Sequence, residues 1–183
     1  MKRVHTKTIC TWTMGILILM TPNSFGHQKI WPGKQLKETM PQATRFTSQQ
    51  ATLNNTQIER IEQSLKARLG QEDLKPTFYP AYQGEEKIGM VIFVDETGQN
   101  GIIEIGVALN RAGQISAVKI LDHREKGAIK KEEFLKQFIG KSSRDILKME
   151  EEIIPHSDAI EASKAVIRGI KKALLLKQEV FGH

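Results

Sequence analysis

The spacing of apolar positions changes twice along this 183-residue chain. In TQIERIEQSLKARLG, Ile58, Ile61, Leu65 and Leu69 recur at three- and four-residue intervals, one face of a helix, with Glu62 and Lys66 a turn apart on the other. Thr56 and Glu59 have capping-box spacing and Gly70 supplies a stop, so the helix is predicted between them. From Thr77 to Glu125 the period falls to two, across TFYPAY, KIGMVIFVDETG, GIIEIGVALN and GQISAVKILDH. Ile103, Ile105, Val107 and Leu109 alternate with Glu104, Gly106 and Ala108, the pattern of an antiparallel strand with one covered face. ETGQNG and NRAG have the composition of hairpin turns, and Pro80 predicts an edge position for the first strand.

The helical period then returns. KEEFLKQFIG turns Phe134, Leu135 and Phe138 inward before Gly140, SSRDILK has the spacing of a capped turn, and the acidic run Glu150 to Glu152 leads to Pro155. A terminal helix running from Asp158 to Lys177 places Ala159, Ala162, Val166, Ile170, Ala173 and Leu174 on an apolar face. Its solvated face carries Lys164, Arg168, Lys171 and Lys172. Ahead of these elements, residues 27–55 are polar and rich in Gln and Thr, with Pro32 and Pro41. They read as an extended arm with at most a short helix around Lys34 to Met40. The whole predicts an α+β fold: an antiparallel meander sheet with packed helices, a single domain over residues 56–183, and no repeats.

The first 26 residues stand apart from this pattern. MKRVHTK is basic, ICTWTMGILILM is an apolar run of 12 residues, and Ser24 and Gly26 offer a small-residue cleavage site. A run this short falls well below the roughly 20 residues of a spanning helix, so it reads as a secretory signal, with an uncleaved anchor as the other form. Either form predicts a periplasmic or extracytoplasmic location. Three of the 27 basic residues and none of the 21 acidic ones lie in this segment, so the remainder carries 24 against 21, a net +3. No concentrated basic stripe accompanies that mild charge, and nucleic acid is excluded as a partner. The only cysteine, Cys10, also lies there, which rules out disulfides, Cys-type zinc sites and c-type haem attachment in the mature chain.

GIIEIGVALNRAGQISAVKILDHRE, FLKQFIGKS and a helix entrance followed by SKAV resemble the FMN-binding domain of the flavin subunits of Na-translocating NADH:quinone reductase and Rnf complexes. The similarity spans Gly89 to Leu176. That family carries strands of the form IxVGVxxxGxIxxVxILxHxE and an entrance motif D-x-x-S-G-A-T-x-S whose threonine takes FMN through a phosphodiester bond. With SKAV as anchor, Ser157 and Ala159 match the motif serine and alanine, and Ser163 is retained. The leading aspartate falls on Ile154, the glycine on Asp158, the acceptor threonine on Ile160 and the next hydroxyl on Ala162. Ile160 has no oxygen to esterify. The family's E-T-P-G-L segment becomes Glu125, Lys126, Gly127, Ala128 and Ile129. The resemblance therefore implies FMN held non-covalently, with Ser157, Asp158, Ala159 and Ile160 at its phosphate end and His123, Glu125 and Gly127 at its ring end. It implies electron transfer with a redox-complex or membrane-associated protein partner, rather than stand-alone catalysis. The alternative is a cofactor-free relative serving as a binding or assembly module of an extracytoplasmic redox complex.

The entrance itself poses a physical choice. Unpaired N–H groups and a partial positive charge at a helix start favour an anion, which a ligand's phosphate can supply. Asp158 and Glu161 have capping-box spacing and can supply it from within the chain. His123 and His156 flank the same region, yet no His-x-x-x-His or Glu-x-x-His spacing supports a metal, and none is predicted. Ser142 and Ser143 read as a cap, with no base spaced to activate a nucleophile.

Overall fold

The computed structural model describes residues 31–125, 128–146 and 148–182. The expected signal, residues 1–26, lies outside the described residues, as does Gly127. In chain order the helices and strands are α1 (Gly33–Thr39), β1 (Arg45–Phe46), β2 (Gln49–Gln50), α2 (Asn55–Leu65), β3 (Thr77–Gln83), β4 (Glu86–Thr97), β5 (Ile102–Asn110), β6 (Ile115–Asp122), α3 (Glu132–Lys136), α4 (Met149–Glu152) and α5 (Ile160–Phe181). The fold is α+β, as the two periods predict. The four period-two stretches form an antiparallel meander, β3-β4-β5-β6, and β1 and β2 both pair with the outer side of β3.

Residues 32–53 are part of this sheet domain. Beyond pairing on β3, they lay α1 across the sheet face opposite α5, where Leu36, Met40 and Ala43 pack with Tyr79, Ala81, Val91 and Ala108. Both faces are thus covered, in place of the single covered face that the alternation in β5 predicted. Gly106 explains how α1 sits so close: a Cβ there would lie 2.7 Å from Thr39 Oγ1. The position of Pro80 is also refined. Its carbonyl accepts from the Thr47 N–H at 3.0 Å, so its missing donor falls between β1 and β2, where no ladder bond is needed.

On the main face, α5 is the central element. It is buried almost all round between Ala162 and Leu176, against Ile92, Val94, Ile103, Ile105 and Val107 of the sheet and against Ile61 and Leu65 of α2. Gly169 allows the approach, since a Cβ would stand 2.6 Å from Ile105 Cδ1. Far down the helix, the Phe181 ring meets Phe78 edge-on at 4.8 Å, and Glu179 forms a two-pronged pair with Arg60 of α2.

Burial of this extent overturns the solvated face predicted for Lys171 and Lys172, which are 4% and 5% exposed. A buried ammonium must find partners. Lys172 Nζ donates to Asp73 Oδ2 at 2.9 Å and to the Asp95 carbonyl at 2.6 Å, while Lys171 Nζ meets Glu150 at 2.5 Å. Arg168 completes the array through Glu96 Oε1 at 2.9 Å and the Thr97 carbonyl at 3.0 Å.

The limits of α2 also differ from the sequence reading. Its cap is Asn54, whose side chain accepts from the Gln57 N–H while Gln57 reaches back, both at 3.0 Å, so the capping box lies two residues before Thr56. The helix ends at Leu65 with Lys66 left-handed, φ 54°, and not at Gly70. Glu62 accordingly turns from Lys66 to the chain beyond, accepting from the Leu69 N–H at 3.0 Å and pairing with Arg68 at 2.7 Å.

Candidate functional site at the α5 entrance

The approach to α5 is fixed from two sides. Gln137, just past α3, brackets the backbone of Ile154, accepting its N–H at 2.9 Å and donating to its carbonyl at 3.1 Å. Two residues on, the His156 N–H donates to the buried Ser163 Oγ at 3.1 Å. A short 3-10 turn, Ser157–Ala159, then leads into α5. The Asp158 N–H points to His156 Nδ1 at 3.3 Å and the Ala159 N–H to the His156 carbonyl at 3.0 Å. His156 Nε2 stands 3.1 Å from Lys131 Nζ. A neutral imidazole accepts through one nitrogen only, so its tautomer selects between the Asp158 amide and the Lys131 ammonium.

The self-made capping box is not formed. Asp158 is exposed and accepts the Ser157 hydroxyl at 3.2 Å, and Glu161 pairs with Lys164 at 2.8 Å. The N-cap of α5 is Ala159, which makes no side-chain cap bond, and the capping at this entrance is done by the His156 ring on the 3-10 turn before it. A 3-10 turn intervenes and shifts the α-helix start past Asp158, which removes that carboxylate from capping range. Two apolar side chains stand exposed beside these carboxylates: Ile160 is 49% exposed and Ile154 is 73% exposed.

The residues assigned to the ring end follow β6. His123 Nδ1 accepts the Glu125 N–H at 3.1 Å. Glu125 is buried, and its carboxylate accepts the Asn100 N–H at 2.8 Å and Asn100 Nδ2 at 3.0 Å, tying the β4–β5 turn to the chain after β6. The structure thus brings Ser157, Asp158, Ala159 and Ile160 together and His123 and Glu125 together. No hydrogen bond or ion pair joins the two groups among the described residues. His123 and His156 have separate partners, and no group of three or more His, Asp or Glu side chains among the described residues could hold a metal ion. Ser142 caps its 3-10 turn with Asp145, as its spacing predicts, and the Ser142 N–H holds the Asp145 carboxyl below the usual carboxylate range.

Three features of this region escaped the sequence: the Gln137 bracket, the Asn100 anchor of Glu125 and the Ser163 anchor of His156. Only the last left a signal, since Ser163 is a hydroxyl set among Ala162, Ala165 and Val166 on the buried side of the helix. No helix among the described residues is long and apolar enough to cross a membrane. The architecture defines an α+β domain whose long helix is entered through a 3-10 turn capped by His156. Compared with known proteins, the chain matches no protein-family model and no curated protein.

Proposed function

We propose that this chain is an exported protein of the FMN-binding-domain type that holds FMN without a covalent bond and exchanges electrons with a redox-complex or membrane-associated partner. The observation that carries the reading is the first turn of α5, whose N-cap makes no side-chain cap bond at the place where the resemblance sets the cofactor's phosphate. Backbone amides there favour an anion. The two nearby carboxylates offer limited opposition, because Asp158 is exposed and Glu161 is already paired with Lys164. Lys131, against the His156 ring, adds positive charge to the same approach. Ile160 presents only carbon, so attachment stops at non-covalent contact, and its exposed side chain offers apolar surface beside the phosphate. When bound, FMN supplies the redox chemistry, and the protein supplies position and electrostatics.

A second reading, the cofactor-free binding or assembly module, is favoured by the inward engagement of His123 and Glu125, which leaves their polar groups satisfied without a ligand. An absorption spectrum of protein refolded with and without FMN separates the two. The first reading expects a yellow protein after gel filtration that releases all its flavin on denaturation. A colourless product selects the second, and a fluorescent band on a denaturing gel contradicts both.

A further inference from the structure

A second feature lies apart from the flavin reading. The C-terminal end of α2 and the first half of α5 enclose a cavity of about 400 Å³, within the range of small-molecule sites. Leu65, Ala67 and Ile167 give it an apolar floor, and Lys66, Lys164 and Arg168 give it three cations. Two of these are engaged: Arg168 with Glu96 and the Thr97 carbonyl, and Lys164 with Glu161. Lys66 is exposed, and its charge acts on Glu150 across the cleft, adding to the Lys171 bond that holds that carboxyl below the usual range. Lys66 is also the one described non-glycine residue with a left-handed backbone, a C-terminal position that glycine fills without steric cost. A left-handed lysine at the end of α2 thus sets an exposed cation at the mouth of the cleft, facing Glu150.

We infer that the α2–α5 cleft binds a small organic anion, an acyl or aryl group on the apolar floor with a single carboxylate or phosphate head held by Lys66. Arg168 and Lys164 raise the local potential without being released from their partners. Glu150, on the rim, is kept ionised by its bond to Lys171, and it disfavours ligands with a second negative group.

Titration of the isotope-labelled full chain by NMR tests this with octanoate, octyl phosphate, inorganic phosphate and octanol. Octanoate and octyl phosphate should saturate, with shifts centred on the amides of Leu65, Lys66, Ala67 and Ile167, and their ratio reports which head group is preferred. Phosphate without a tail, and octanol without a charge, should bind at least about tenfold more weakly. Lys66→Gly relieves the left-handed strain, so its thermal midpoint should hold or rise while octanoate affinity falls at least about fivefold. Octanol binding as well as octanoate, shifts centred elsewhere, or unchanged affinity in Lys66→Gly overturns the inference. Displacement of octanoate by FMN also overturns it, since the cleft is then the flavin's own seat.

Discussion

The first turn of α5 and its middle obey opposite rules. From Ala162 to Leu176 the helix is packed on almost every side, and even Lys171 and Lys172 are drawn inward and paired. One turn earlier, Ile160 is half exposed, Asp158 faces solvent and the N-cap, Ala159, makes no side-chain cap bond. Stability is therefore concentrated in the middle of the helix and at its far end, where Phe181 and Glu179 join β3 and α2. The entrance is held more lightly, by the His156 ring and carbonyl on the Asp158 and Ala159 amides.

The contrast breaks most sharply at Lys172. Replacing it with Ala strands Asp73 in the interior, while Glu96 keeps Arg168, and should cost about 3–5 kcal/mol in a urea denaturation series. The joint change Lys172→Met with Asp73→Asn should lose much less, because no buried charge is then left without its counterion. Next in size is Gly169→Ala. The added methyl gains about 1 kcal/mol of helix propensity but collides with Ile105, and overpacking of this kind costs about 1–3 kcal/mol. A net loss of stability is expected, and Ile105→Val should recover part of it.

A smaller effect separates the two kinds of carboxylate by pH. Burial first, and then Asp95 and Asp122 across the strands, push the Glu104 carboxyl up, so the folded state holds its proton more tightly than the unfolded chain. Its contribution is greatest below the ordinary glutamate range and is lost as pH rises through the raised folded value. Asp145 and Glu150 have the opposite sign: both are held down, so their contributions are present at neutral pH and are lost as pH falls through the lowered folded values. Glu104→Gln should therefore raise the neutral-pH midpoint and remove the fall in stability between the ordinary glutamate range and the raised folded value. The smallest effect belongs to Asp158→Ala, which should shift stability by no more than about 0.5 kcal/mol, because the side chain caps nothing. A loss near 1 kcal/mol in thermal unfolding contradicts that geometry.

What the sequence disclosed follows the same division. The meander was legible because apolar alternation over seven to twelve residues specifies strands by itself. Strands β1 and β2 were not, since two-residue segments join β3 through backbone groups that no side-chain pattern records. Lys171 and Lys172 were assigned to water because helical periodicity sees charge but not partners, and Asp73 lies 99 residues away. At the entrance, the residue types allowed both an internal cap and an open turn. The choice was made by a 3-10 turn and by His156, whose ring and carbonyl engage the Asp158 and Ala159 amides. Neighbours in sequence, Ser157 to Ile160 among them, were found together trivially. The anchors that place them, Ser163 and Gln137, depend on three-dimensional contacts.

The central claim is that the first turn of α5 receives a phosphate without a covalent bond, and a paired titration with FMN and riboflavin tests it most directly. The two share the ring and differ in the phosphate, so quenching of flavin fluorescence should saturate with FMN and be at least about tenfold weaker with riboflavin, with the difference shrinking as salt is added. Equal affinity for the two flavins, or no saturable binding of FMN, would contradict the account.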